Sequence, residues 1–249
     1  MAAIVRIREL RKTYDTGETK VTPLEHINLD IEEGDFVSLM GPSGSGKTTL
    51  MNIIAGVDHC TSGTIEVNGV NIAELSDAKL SRWRNRNIGY IFQQFNLMPV
   101  LTAQENVELP LMLLPLSSRR RKHQAGVALN AVGLGDRLRH YPRQLSGGQQ
   151  QRVAIARAIV TDPKIIVADE PTGNLDLKSE EEVLEILKQL NQRFGKTIIL
   201  VTHDAHAAST ARRLMHLDKG QMSEGTTAQV HVLEPERANS GQPELGTAN

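Results

Sequence analysis

Short apolar runs punctuate the chain. Phe36-Val37-Ser38-Leu39-Met40, Ile88-Gly89-Tyr90-Ile91-Phe92, Ile165-Ile166-Val167-Ala168 and Thr197-Ile198-Ile199-Leu200-Val201 carry few polar residues, the pattern of strands buried on both faces. The N-terminal part alternates instead: Val5 and Ile7 with Arg6 and Arg8, and Ile27, Leu29 and Ile31 with Asn28, Asp30 and Glu32. Alternation predicts half-exposed antiparallel strands, with Tyr14 in a polar loop between them. Thr64-Ile65-Glu66-Val67 runs into Asn68-Gly69, a strand and tight hairpin turn that completes a small β layer. Helices are predicted from Thr49 to Ala55, closed by Gly56, and from Ser76 to about Arg86. From Phe95 to about Val160 the character is helical. Thr102-x-x-Glu105 and Ser146-x-x-Gln149 have capping-box spacing, and Pro110 interrupts the run to Leu114. Ser179-x-x-Glu182 predicts a further helix start, with Val183, Ile186, Leu187 and Leu190 on its buried face and Gly195 at its end. A last strand, Arg213 to Leu217, precedes a turn at Asp218-Lys219-Gly220, and from about Thr226 the chain becomes polar, a tail expected to be poorly ordered. No internal repeat is evident, so the pattern predicts one α/β core with a helical insert.

Composition narrows the function classes. A chain of 249 residues is long enough to bury a core, and 28 Lys plus Arg against 29 Asp plus Glu leave no electrostatic footprint for nucleic acid. The N-terminus lacks an apolar leader, and the longest greasy stretch, Val107 to Leu116, carries Glu108 and two prolines, well below spanning length. The one cysteine, Cys60, permits no internal disulfide. The basic run Arg119-Arg120-Arg121-Lys122 reads as a solvated helix face or a partner-docking patch.

The chemistry begins at Gly41-Pro42-Ser43-Gly44-Ser45-Gly46-Lys47-Thr48, which matches G-x-x-x-x-G-K-[ST] at every fixed position. Glycines let the backbone curl so that successive N–H groups point inward, Lys47 can reach the outer phosphates of a nucleotide, and the Thr48 hydroxyl can bind Mg²⁺. The buried strand before the loop and the helix after it add a helix dipole to the anion site. Asp169-Glu170 end another buried strand, and two adjacent carboxylates there need cationic partners, which a phosphate-bound Mg²⁺ supplies. Asp169 would hold the metal through its water shell and Glu170 would orient or deprotonate a water. Gln93 and His203 also stand at strand ends, the edge where ligands of open α/β sheets bind. Gln93 there either serves a metal or water or bonds loop backbone. His203 is either functional or solvent-facing, and Tyr14 either stacks on a base or covers core surface. Leu145-Ser146-Gly147-Gly148-Gln149 presents a second helix N-terminus after two glycines, either a plain cap or another anion site.

Taken together and in order, Gly41 to Thr48, Gln93, Leu145 to Gln149, Ile165 to Glu170, Asp176 and His203 resemble the motif set of ATP-binding-cassette (ABC) ATPases. The resemblance covers nearly all of residues 1–225. It implies a P-loop NTPase (RecA-like) core at about 1–93 and 161–225, an N-terminal antiparallel β layer, an inserted helical subdomain at about 94–160, and the tail 226–249. It also implies a head-to-tail homodimer in which Ser146, Gly147, Gly148 and Gln149 of one copy close over ATP and Mg²⁺ held by Gly41 to Thr49 of the other. By the same carry-over Tyr14 stacks on adenine, Gln93 touches Mg²⁺ and the membrane partner, Glu170 is the catalytic base, Asp176 makes a cross-dimer contact and His203 senses the γ-phosphate. Lys47 joins Glu170 and His203 in the catalytic set, with Thr48, Gln93 and Asp169 around the metal. Gly173-Asn174-Leu175-Asp176 and Ile91-Phe92-Gln93-Gln94-Phe95-Asn96-Leu97 look like the subfamily of macrolide-exporter, lipoprotein-release and cell-division ATPases. That likeness implies a cytoplasmic subunit peripheral to the inner face of the cell membrane, docked on a separate permease with a large extracytoplasmic domain. A regulatory ATPase without transport, as in the cell-division relatives, and an amino-acid importer ATPase are the alternatives.

Overall fold

The computed structural model describes residues 3–225 apart from Thr16; the polar tail, 226–249, lies outside the described residues. In chain order the strands are β1 (Ala3–Asp15), β2 (Lys20–Glu32), β3 (Phe36–Met40), β4 (Ser62–Val67), β5 (Val70–Asn71), β6 (Ile88–Ile91), β7 (Ile165–Asp169), β8 (Thr197–Val201), β9 (Arg213–Asp218) and β10 (Gln221–Gly225). The α-helices are α1 (Lys47–Ile54), α2 (Asp77–Asn87), α3 (Ala103–Glu108), α4 (Ser118–Ala131), α5 (Gly147–Ile159), α6 (Leu177–Phe194) and α7 (Ala205–Ser209).

The two kinds of strand predicted from the pattern form two sheets. Alternating strands build an antiparallel layer in the order β2-β1-β4-β5, with Val5, Ile7, Ile27, Leu29 and Ile31 buried and Arg6, Arg8, Asn28 and Asp30 exposed. Its β4–β5 hairpin turns on Asn68 (φ 49°) and Gly69 (φ 74°), the two left-handed residues that such a two-residue turn requires. The apolar runs build a second sheet in the order β10-β9-β3-β8-β7-β6, parallel except where β10 pairs with β9.

Alternate side chains of a strand point to opposite faces, so these buried strands feed two cores. Val37, Leu39, Ile165, Val167, Ile199 and Val201 pack toward α1 and the antiparallel layer. Phe36, Ile166, Ala168, Ile198 and Leu200 pack toward residues of α3 to α6. In α1, Leu50, Met51, Ile53 and Ile54 are at most 1% exposed, each burial contributing about 1.5–3 kcal/mol, which fixes the helix beneath the loop that precedes it. The α/β architecture expected from the pattern is therefore present, with α3, α4 and α5 between β6 and β7.

Local details differ from the sequence reading. Tyr14 is not in a loop: β1 runs through it, paired with Val21. Helix α6 starts at Leu177, capped by Asp176 rather than Ser179, because the Asp176 carboxylate accepts both the Ser179 N–H (2.9 Å) and its hydroxyl (3.0 Å). Its buried face is Val183, Leu184, Leu187 and Leu190, with Ile186 only partly covered. Ser76 precedes α2 without a capping bond. In the basic run, Arg119, Arg120 and Lys122 are exposed, whereas Arg121 turns back to donate to the Leu116 carbonyl at 2.8 Å.

Candidate active site

The segment joining β3 to α1 wraps the start of the helix. Gly46 caps α1 with a left-handed φ of 102°, and a Cβ there would lie 2.5 Å from the Pro23 carbonyl oxygen. At Gly41 a Cβ would meet the Leu217 carbonyl oxygen at 2.0 Å. Only glycine fits either position. Lys47 is buried, and its Nζ donates to the carbonyls of Gly41 and Pro42 at 2.8 Å each. Burial pulls the ammonium pKa down while Glu170 and Asp169 pull it up. The loop opens into a cavity of about 490 Å³ lined by Pro23, Gly41, Ser43, Gly44, Gly46, Lys47, Thr48, Thr49, Glu170 and His203. Pro42 is exposed beside it, and the Ser45 hydroxyl is buried with no hydrogen-bond partner among the described residues.

Parallel pairing of β7 with β8 and β6 aligns the strand ends that carry Asp169, Glu170, His203 and Gln93. Glu170 has a left-handed φ of 44°, and its N–H donates to the Val201 carbonyl at 2.8 Å. Its Oε1 lies 2.9 Å from His203 Nδ1, and its Oε2 accepts from Gln93 Nε2 at 3.3 Å. The Glu170 side chain is 23% exposed and that of His203 69%, so the carboxylate is shielded while the imidazole reaches solvent. Burial pushes the Asp169 carboxyl up, as does Glu170, and Lys47 with the Thr48 hydroxyl pulls it back down. Two carboxylates thus share one ammonium, a charge balance that a divalent cation completes. The donor set of Thr48 hydroxyl, Asp169 carboxylate and Gln93 amide oxygen is hard and sparse. It suits Mg²⁺, which takes few protein ligands and binds largely through phosphates and water.

The structure thus brings Lys47, Thr48, Thr49, Glu170 and His203 to the cavity lining, with Asp169 beside Thr48 and Gln93 bonded to Glu170 just behind it, and leaves other expected residues farther out. Ser146 to Gln149 form the capped start of α5: Ser146 Oγ accepts from Gln149 N–H at 3.3 Å, and Gln149 Oε1 from Ser146 N–H at 3.0 Å. Ser146 and Gly147 face solvent. Asp176 is exposed as the cap of α6. Tyr14 is 41% exposed and lies outside the cavity lining, its hydroxyl donating to Asp58 Oδ2 at 2.6 Å.

Two residues had no counterpart in the sequence reading. Gln151 of α5 is fully buried and donates to the carbonyls of Phe92 (3.2 Å) and Pro171 (2.7 Å), the neighbours of Gln93 and Glu170. Arg157, on the same helix, donates to the carbonyls of Phe95 (2.9 Å) and Asn96 (2.5 Å). Both tie the helix bearing Ser146 to the loops at the site, and the only sequence signal was a long polar residue at an inward position of an otherwise apolar helix face.

With this geometry in place, comparison with known proteins is direct. The ABC transporter family matches residues 24–173. The ABC transporter ATP-binding protein YknY of Bacillus subtilis is 46% identical over 231 residues, 93% of this chain and 100% of that protein. A dimeric structure of a post-hydrolysis state of the ATP-binding cassette MJ0796, bound to ADP and Pi, aligns with a TM-score of 0.83 at 45% identity, covering 90% of this chain and 98% of that one; MJ0796 is from Methanocaldococcus jannaschii. The macrolide export ATP-binding/permease protein MacB of Syntrophobacter fumaroxidans is 45% identical over 98% of this chain, which spans 33% of its length. A loop of this geometry on this sheet, together with these relatives, identifies the chain as a member of the ABC transporter family, an ATP-binding subunit with a P-loop NTPase fold.

Proposed function

We propose that two copies of the chain pair head to tail around ATP and Mg²⁺, hydrolyse ATP to ADP and phosphate, and drive a separate permease on the inner face of the cell membrane. One observation carries the pairing: the capped start of α5, which would serve as a second anion site, lies exposed and outside the cavity that the Lys47 loop forms. A second copy brings the missing device to the nucleotide, an arrangement supported by the dimeric MJ0796 cassette. In each site Lys47 and the loop N–H groups hold the phosphates, and Thr48, Asp169 and Gln93 hold the metal or its waters. Mg²⁺, when bound, neutralises charge on the transferred phosphoryl group. Glu170 takes a proton from a water whose oxygen bonds to the γ-phosphorus, while the bond to the bridging oxygen breaks and ADP leaves with the electron pair. His203, hydrogen-bonded to Glu170, orients that carboxylate and reports the γ-phosphate. Tyr14 stacks on the base, and Asp176 contacts the partner copy. Ser146, Gly147, Gly148 and Gln149 of that copy close the γ-phosphate side.

No helix among the described residues is long and apolar enough to cross a membrane. The MacB relatives, whose names join an ATP-binding part to a permease, support an exporter-type permease; its large extracytoplasmic domain is carried over from the subfamily resemblance. Phosphate release from ATP by the purified chain is expected to require Mg²⁺, fall to background with EDTA and recover with excess Mg²⁺. Release that is indifferent to EDTA would contradict the reading.

A further inference from the structure

Beside the phosphate loop, the β1 end and the segment after α1 form an ionic clamp on Tyr14. Lys12 is only 9% exposed, although a lysine is rarely buried unless paired. Its Nζ donates to Asp58 Oδ1 and to the His59 carbonyl, each at 2.7 Å. The other Asp58 oxygen, Oδ2, accepts the Tyr14 hydroxyl at 2.6 Å. The same ammonium stands 4.6 Å from the centroid of the Tyr14 ring, within cation–π range. Thr49, which lines the phosphate cavity, stands close to the phenol. The ring is thus pinned at its oxygen by Asp58 and covered on one side by a cation, yet remains 41% exposed.

We propose that Asp58 and Lys12 are positioning residues that hold Tyr14 as a preformed nucleobase platform, so that affinity for the base, separately from affinity for the phosphates, depends on this clamp. Asp58 links the two halves of the device, fixing the ring plane through the phenol and the ammonium through the ion pair. Lys12 draws electron density from the ring, which favours stacking on an electron-rich purine. The clamp removes ring motion that binding would otherwise have to freeze. This inference rests on the ATP-hydrolysing reading above and on Tyr14 meeting the base.

The test compares ATP with inorganic tripolyphosphate, each with Mg²⁺, on the full chain and on Asp58→Ala and Lys12→Met variants, the second keeping an apolar stem should the first fold poorly. Both variants are expected to bind ATP about 5-fold more weakly, the scale of one aromatic contact, with tripolyphosphate affinity and kcat at saturating ATP unchanged. Unchanged ATP affinity in both variants overturns the inference. So does an equal loss for ATP and tripolyphosphate, which marks a loosened phosphate loop, and so does an unmodified chain that binds both ligands equally. Failure of the unmodified chain to bind ATP at all overturns the ATPase reading itself and this inference with it.

Discussion

Glu170→Gln is expected to lower turnover by about 10²- to 10⁴-fold, the usual contribution of a positioned general base, while ATP binding stays intact. The substitution keeps the shape and the neighbours of the side chain: an amide can still meet His203, now 2.9 Å from Oε1, and Gln93, now 3.3 Å from Oε2. It cannot take a proton from water. Nor does it touch the loop carbonyls that Lys47 bridges, so the phosphate cradle survives. Binding without turnover holds the two copies together on unspent nucleotide. Phosphate release and an ATP titration on the same preparation check this, and a release rate within twofold of the unmodified protein would remove Glu170 from the proposed mechanism.

Lys47→Ala moves the other parameter. ATP affinity is expected to fall by about 10- to 100-fold, since hydrogen bonds to charged groups contribute roughly 1.5–3 kcal/mol. The buried ammonium is also the cation facing Asp169 and Glu170. Without it the Asp169 carboxyl is pushed up further, and the metal site weakens with the phosphate site. Tripolyphosphate affinity should fall in parallel, in contrast to the clamp variants at Asp58 and Lys12. An isothermal titration giving unmodified affinity for either ligand would contradict the role assigned to Lys47.

The loop and its sheet were legible in the sequence because their determinants are local. Gly41 and Gly46 are required by left-handed φ angles and by carbonyls that a Cβ would strike, and both stand in one contiguous motif. Strands β3, β7 and β8 are buried on both faces and therefore read as unbroken apolar runs. Where two local devices competed, the reading failed: Ser179 and Asp176 both offer a cap, and the carboxylate wins by accepting from both donors of Ser179. Tyr14 looked like loop because the alternation of β1 is interrupted by register shifts, yet pairing with β2 continues to Asp15. The supporting residues were out of reach for another reason. Lys12 meets Asp58, Gln151 meets Phe92 and Arg157 meets Phe95 across long stretches of chain, and no period or spacing encodes such pairs. The geometry of α5 was likewise legible as a capped helix, whereas its use by a neighbouring copy came from the family resemblance.

The central claim is that the Ser146 end of α5 acts on nucleotide held by another copy. Light scattering of Glu170→Gln and of Glu170→Gln/Ser146→Arg, with and without ATP and Mg²⁺, tests it most directly. The single variant is predicted to be a dimer by mass only with nucleotide, and the double variant to bind ATP with the same affinity per chain yet stay a monomer. A double variant that still dimerises on ATP, or that loses ATP binding as a lone chain, would contradict it.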